Sequence, residues 1–183
     1  FVAGNHDLDF DAPSDQHSFD TFRREFGPEY YSFDIGNVHF VVLDDVRYPC
    51  NGVDDHSFCD LSKSPTYNGV ISDRQLNWLR NDLKVVPKDK LIVLNAHIPF
   101  VTYTDASAQK HQVDNLADLY VIIGDRPALG LSGHTHTTEQ YLPGEYYDGF
   151  EQNTGTAGVK FHQIVTGAVS GSWWAGDLNN SGI

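Results

Sequence analysis

Two nearly apolar runs in this chain end on histidine. Leu91-Ile92-Val93-Leu94-Asn95-Ala96 leads into His97 and is stopped by Pro99, and Leu129-Gly130-Leu131-Ser132 leads into Gly133-His134-Thr135-His136. Short apolar runs bounded by turn residues read as strands buried on both faces, and such strands belong to sheets packed against helices. In those sheets, binding groups gather just past the strand C-termini. A third run, Phe1-Val2-Ala3, reads as a strand ending on Gly4-Asn5-His6-Asp7. Residues i and i+2 of an extended backbone point the same way. A strand continuing past Ser132 would therefore place His134 and His136 in one site, and Gly133 would let the backbone pass close to it.

The intervening sequence supplies the helices and further strands of an α/β fold. Ser18 reads as an N-cap for a helix whose stripe is Phe19, Phe22 and Phe26, closed by Gly27-Pro28. Tyr30–Ile35 and Val38–Asp44 read as strands joined by the two-residue turn Gly36-Asn37. His39 reads as a sheet-surface residue. Asp44, at a strand end, reads as a turn residue, with a place facing the site as the alternative. Asp45 to Gly69 is a long loop. Ser72-Asp73-Arg74-Gln75 is a capping box ahead of the stripe Leu76, Leu79 and Leu83. Tyr103 to Gln112 reads as a loop over the site. Val113, Leu116, Leu119, Tyr120 and Ile123 form another helical stripe. Thr137–Leu142, Phe161–Val165 and Ala168-Val169 read as late strands, with turns between Gly144 and Gly158. Trp173 and Trp174 read as a packing edge, with a substrate rim as the alternative.

Composition narrows the partners. The chain has 183 residues and 40% hydrophobic content, enough for one packed domain. Its net charge of −13 argues against a nucleic-acid scaffold, which needs a basic face. No apolar run approaches the ~20 residues of a membrane span. Cys50 and Cys59 close one short polar loop and read as a local disulfide, which favours an exported or periplasmic protein; reduced thiols in a cytoplasmic protein are the alternative. The chain has no Met and starts inside a strand-like run, so it reads as a piece of a longer protein, with residues 160–183 leading into further sequence.

Gly4-Asn5-His6-Asp7, then His97, then Gly133-His134-Thr135-His136, in this order, resemble the motifs of calcineurin-like metallophosphoesterases. The likeness spans most of the chain. It implies a two-sheet β-sandwich flanked by helices and hydrolysis of small phosphate esters at two metal ions (Mn, Fe or Zn). It further implies that Asn5, His97 and His134 bind the second metal and His136 the first. His6 would protonate the leaving oxygen, and Asp7 would orient His6. The family also carries Asp-x-His and Gly-Asp-x-x-Asp motifs ahead of these, and no sequence here supplies them. Asp54-Asp55-His56 and Gly176-Asp177-Leu178-Asn179-Asn180 are chance likenesses to them. Without the bridging Asp those motifs provide, two cations would face each other across neutral ligands, so this chain alone is expected to be inactive. A non-catalytic binding protein on the same fold is the rival reading. His17, His56, His111 and His162 carry no motif and read as surface residues or ordinary hydrogen-bonding groups, with His111, in the loop after His97, nearest to being an exception.

Overall fold

The computed structural model describes residues 1–48, 67–103 and 111–167. The Cys50–Cys59 pair, Asp54-Asp55-His56, the strand expected at Ala168-Val169, Trp173, Trp174 and the Gly176–Asn180 segment lie outside these residues.

The frame is a six-stranded mixed sheet. β1 (Tyr31–Ile35) and β2 (Val38–Val42) form a hairpin. β2 then pairs in parallel with β5 (Leu91–Asn95), β5 with β6 (Ala128–Ser132), and β6 with β8 (His162–Val165). β7 (Glu139–Tyr141) closes the far edge antiparallel to β8. A separate two-stranded ladder joins β3 (Val46–Arg47) to β4 (Asn68–Gly69). The hairpin turn falls at Gly36, with φ 57°, as the Gly-Asn pair predicts.

The helices are α1 (Asp20–Phe26), α2 (Asp73–Asp82), α3 (Leu116–Ile123) and the short α4 (Phe150–Thr154). Leu76 and Leu79 from α2, Leu83 at its C-terminal cap, and Leu116, Leu119 and Ile123 from α3 pack with Val41, Ile92 and Leu94 of the sheet in one core. The predicted stripes therefore face one side of the sheet. The opposite side is also apolar but is only partly covered. Tyr31, Phe33, Phe40, Leu129, Leu131 and Ile164 point that way, and Phe33 remains 41% exposed with its ring stacked on Phe40. Parallel sheets ordinarily bury both faces.

Several local expectations change. Ser18 does not cap α1. Its hydroxyl donates to the Asp15 carbonyl at 2.7 Å inside the preceding 3-10 turn, so the helix opens at Phe19 instead. Phe26 is 51% exposed because its turn of helix lies beyond the core holding Phe19 and Phe22. Residues 1–4 form no ladder among the described residues. His39 is buried rather than on the surface, since alternation turns it toward α2, where it meets Asp82. Ser72 caps α2 as predicted, accepting from the Gln75 amide, but the Gln75 side chain pairs chiefly with both backbone groups of Asp44.

Candidate metal centre

β2, β5 and β6 run parallel, so their C-terminal ends share one edge of the sheet. β5 delivers His97 there and β6 delivers His134. The N-terminal segment lies over this edge through a 3-10 turn, Asn5–Asp7. Gly4 is what lets it approach: a Cβ on Gly4 would sit 3.0 Å from Cε1 and Nδ1 of His97. Gly133 has no such role, because a Cβ there would meet nothing nearer than 3.7 Å.

The convergence is tight. His97 Nε2 lies 2.7 Å from Asn5 Oδ1 and 3.1 Å from His134 Nδ1. Atoms bonded to one ion at about 2.0–2.2 Å lie roughly 3 Å apart when adjacent. Two imidazole nitrogens and an amide oxygen at these separations therefore fit a single cation of the Mn, Fe or Zn kind. Burial, with the nearby charges of His6 and His136, pushes His97 down to about 4. At neutral pH its ring is uncharged and keeps a lone pair for a metal.

The Gly133–His136 segment is not a continued strand. His134 and His136 both have left-handed backbone, with φ 68° and 59°. Thr135 N donates to Gly133 O at 2.8 Å, which makes a tight turn centred on His134. Such conformations cost of order 1–3 kcal/mol each for a residue with a side chain. The turn is braced by Thr135 Oγ1, 2.9 Å from Thr137 Oγ1, and Thr137 in turn donates to Glu139 at 2.6 Å. Glu139 also accepts from Thr102, Tyr103 N and the Tyr141 hydroxyl, tying this turn to the segment after Pro99.

The remaining expected residues are less tightly gathered. His136 and His6 are near enough to His97 to disfavour its charge. His6 is exposed. Asp7 accepts the Gly4 amide at 2.8 Å and so braces the turn carrying Asn5 and His6. Among the described residues, no three His, Cys, Asp or Glu side chains converge on one ion, so the set of donors found is Asn5, His97 and His134. A groove of about 580 Å³ beside Lys84 and Arg126 and another of about 490 Å³ beside Asp15 and Asp44 are lined by none of these three.

Three neighbours escaped the motif reading. The His111 ring lies 5.6 Å from that of His134, and the Tyr67 ring 5.8 Å from it on an edge-to-face contact. His111 had its place in the loop after His97 as a signal; Tyr67 had none. The third is Asp45. Asp44 turns away to accept from Val46 N and, as anticipated, serves a turn. Asp45, pointing the other way, is fully buried and accepts the amides of His97 and Ile98, each at 3.1 Å. Burial pushes its carboxyl up to about 7 against the pull of those amides.

No family model matches the chain. An acid phosphatase from Aspergillus ficuum is 26% identical over 167 aligned residues, which cover 73% of this chain and 27% of that protein. A solved structure described as that of PhoD has a TM-score of 0.43 at 19% identity, covering 79% of this chain and 29% of that one. The chain thus spans just over a quarter of the length of each. No helix among the described residues is long and apolar enough to cross a membrane.

Proposed function

We propose that the protein to which this chain belongs hydrolyses small phosphate esters at a metal centre in which Asn5, His97 and His134 hold one cation. The meeting of Asn5 Oδ1, His97 Nε2 and His134 Nδ1 within 2.7–3.1 Å contacts carries this reading. The likeness to an acid phosphatase supports the choice of phosphate esters.

When bound, metal would supply Lewis acidity and a water acidic enough to attack at neutral pH. The chain's own residues do the rest. His97, uncharged at neutral pH, presents its lone pair without first losing a proton. His6 stands exposed beside Asn5 and protonates the leaving oxygen. Asp7 holds the turn that aims His6. His136 serves a second ion. The trio offers only neutral donors, and two cations need a carboxylate between them. We therefore take the two-metal site to be completed from outside residues 1–183, and this chain alone to be inactive. The open apolar face of the sheet, with Phe33 and Phe40 stacked on it, is the surface against which a second sheet would complete the sandwich. Export, the reading taken from Cys50 and Cys59, stands on those two cysteines alone.

The test is titration of the full-length protein with Mn or Zn, repeated with His134→Ala, alongside hydrolysis of p-nitrophenyl phosphate. Affinity that weakens with His134→Ala supports the centre; affinity indifferent to that change removes its basis. His6→Ala should abolish turnover and spare metal binding, which a non-catalytic binding protein has no way to reproduce.

A further inference from the structure

Asp45 is a costly residue to keep. It is fully buried, one of its oxygens accepts two amides, and the other, Oδ2, is buried with no hydrogen-bond partner among the described residues. An unsatisfied buried carboxylate oxygen is destabilising. No basic side chain forms an ion pair with it among the described residues. A residue selected for stability alone would be apolar or would have both oxygens satisfied.

What Asp45 touches gives the cost a purpose. It sits past the end of β2 and grips the backbone past the end of β5, at the two amides that begin the His97–Ile98 turn. The other side of the same peptide unit is held too, since Gly133 N donates to His97 O at 3.0 Å. His97 is thus fixed from β2 through its amide and from the strand end of β6 through its carbonyl. Its ring has little freedom left, with Gly4 packed against Cε1 and Nδ1 and its Nε2 on Asn5 and His134.

We infer that Asp45 is a positioning residue for the metal centre, holding the His97–Ile98 turn so that Nε2 of His97 meets Asn5 Oδ1 and His134 Nδ1. It touches neither ion nor substrate. The inference rests on the metal reading proposed above. The grip of Asp45 on the turn can be measured without it.

The test uses the full-length protein with Asp45→Ala, Asp45→Asn and Asp45→Glu. Asn keeps an acceptor oxygen in place. Glu keeps the charge but pushes the turn outward by one methylene. Zinc affinity is read by chelator competition, and hydrogen exchange is followed in peptides covering His97 and Ile98. Ala and Glu should weaken zinc binding by about 10–100-fold, the range for groups that orient a ligand, while Asn stays within about 3-fold of the parent. Exchange at the His97–Ile98 turn should quicken in the Ala and Glu proteins and not in the Asn protein. If Asp45→Ala does not fold, the Glu–Asn pair makes the same comparison. Undiminished zinc affinity in a folded Ala or Glu variant would overturn the inference, as would equal loss in Asn and Glu. If the parent binds no zinc, the metal reading fails by itself. Quickened exchange would then still establish Asp45 as the anchor of the turn, and unchanged exchange would dismiss it.

Discussion

His39 lies on β2 and His97 just past the end of the neighbouring β5, and both are withdrawn from water, yet their surroundings differ. His39 is 4% exposed and held between two carboxylates, with Nδ1 2.8 Å from Asp34 and Nε2 2.7 Å from Asp82. Carboxylates only accept, so a ring nitrogen that faces one is turned to donate. Lys90, then His39, hold the Asp34 carboxyl below its usual range. His39 thus locks the β1–β2 hairpin to α2 through these two contacts. His97 meets an amide oxygen and another imidazole, and burial keeps it neutral. Burial alone does not distinguish the two histidines; the charge of their partners does. Carboxylates hold both nitrogens of His39, and neutral groups surround one nitrogen of His97, where the proposed metal would bind.

The largest contrast should come from removing one imidazole from each place. His134→Ala takes a donor from the trio, and metal affinity should fall by more than the about 10–100-fold typical of losing an orienting group. His39→Ala should leave metal affinity as it was, and calorimetric titration of the two variants side by side decides between them. The stability effects should run the other way. His39→Ala leaves the largely covered Asp82 without this partner and should cost about 1–3 kcal/mol in urea unfolding. Equal costs for the two variants would erase the distinction drawn here. Gly4→Ala probes the His97 side more gently. Its methyl meets the ring at 3.0 Å. That overpacking should cost about 1–3 kcal/mol and weaken metal binding, with thermal melting and titration as readouts.

The smallest effect expected is a pH slope. The pKa of His97 is lower folded than unfolded, so its contribution to stability is present above about 6.5 and is lost as pH falls toward about 4. Asp45 works against it. Its folded value of about 7 lies above the ordinary 3.8, so the fold gains stability from it as pH falls through that interval. Asp45→Asn removes the opposing slope. Metal-free Asp45→Asn protein should therefore be the more stable of the two at pH 8, and should lose stability more steeply between pH 6.5 and 4. Parallel unfolding curves for the two proteins would contradict this.

Much of this was legible in the sequence because strands and helices announce themselves by period. The runs around Val41, Leu94 and Leu131 became neighbouring parallel strands, and Asn5, His97 and His134 met at their shared edge as the motif order implied. The local route to that meeting was not legible. His134 was expected on extended backbone and stands in a left-handed turn held by Thr135, Thr137 and Glu139. Gly133 was expected to make room, and Gly4 does so, because the close approach is between segments 93 residues apart. Asp44 and Asp45 are adjacent and chemically identical, and only the direction each takes past the end of β2 separates the turn residue from the one facing His97.

The sequence by itself determined which elements form and which side chains could bind metal, since period, turn residues and donor chemistry are local properties. The tertiary structure decided which of those donors meet, and which partners each histidine has. Both depend on partners brought in from distant parts of the chain: Asp82 for His39, and Asn5, His134 and Asp45 for His97.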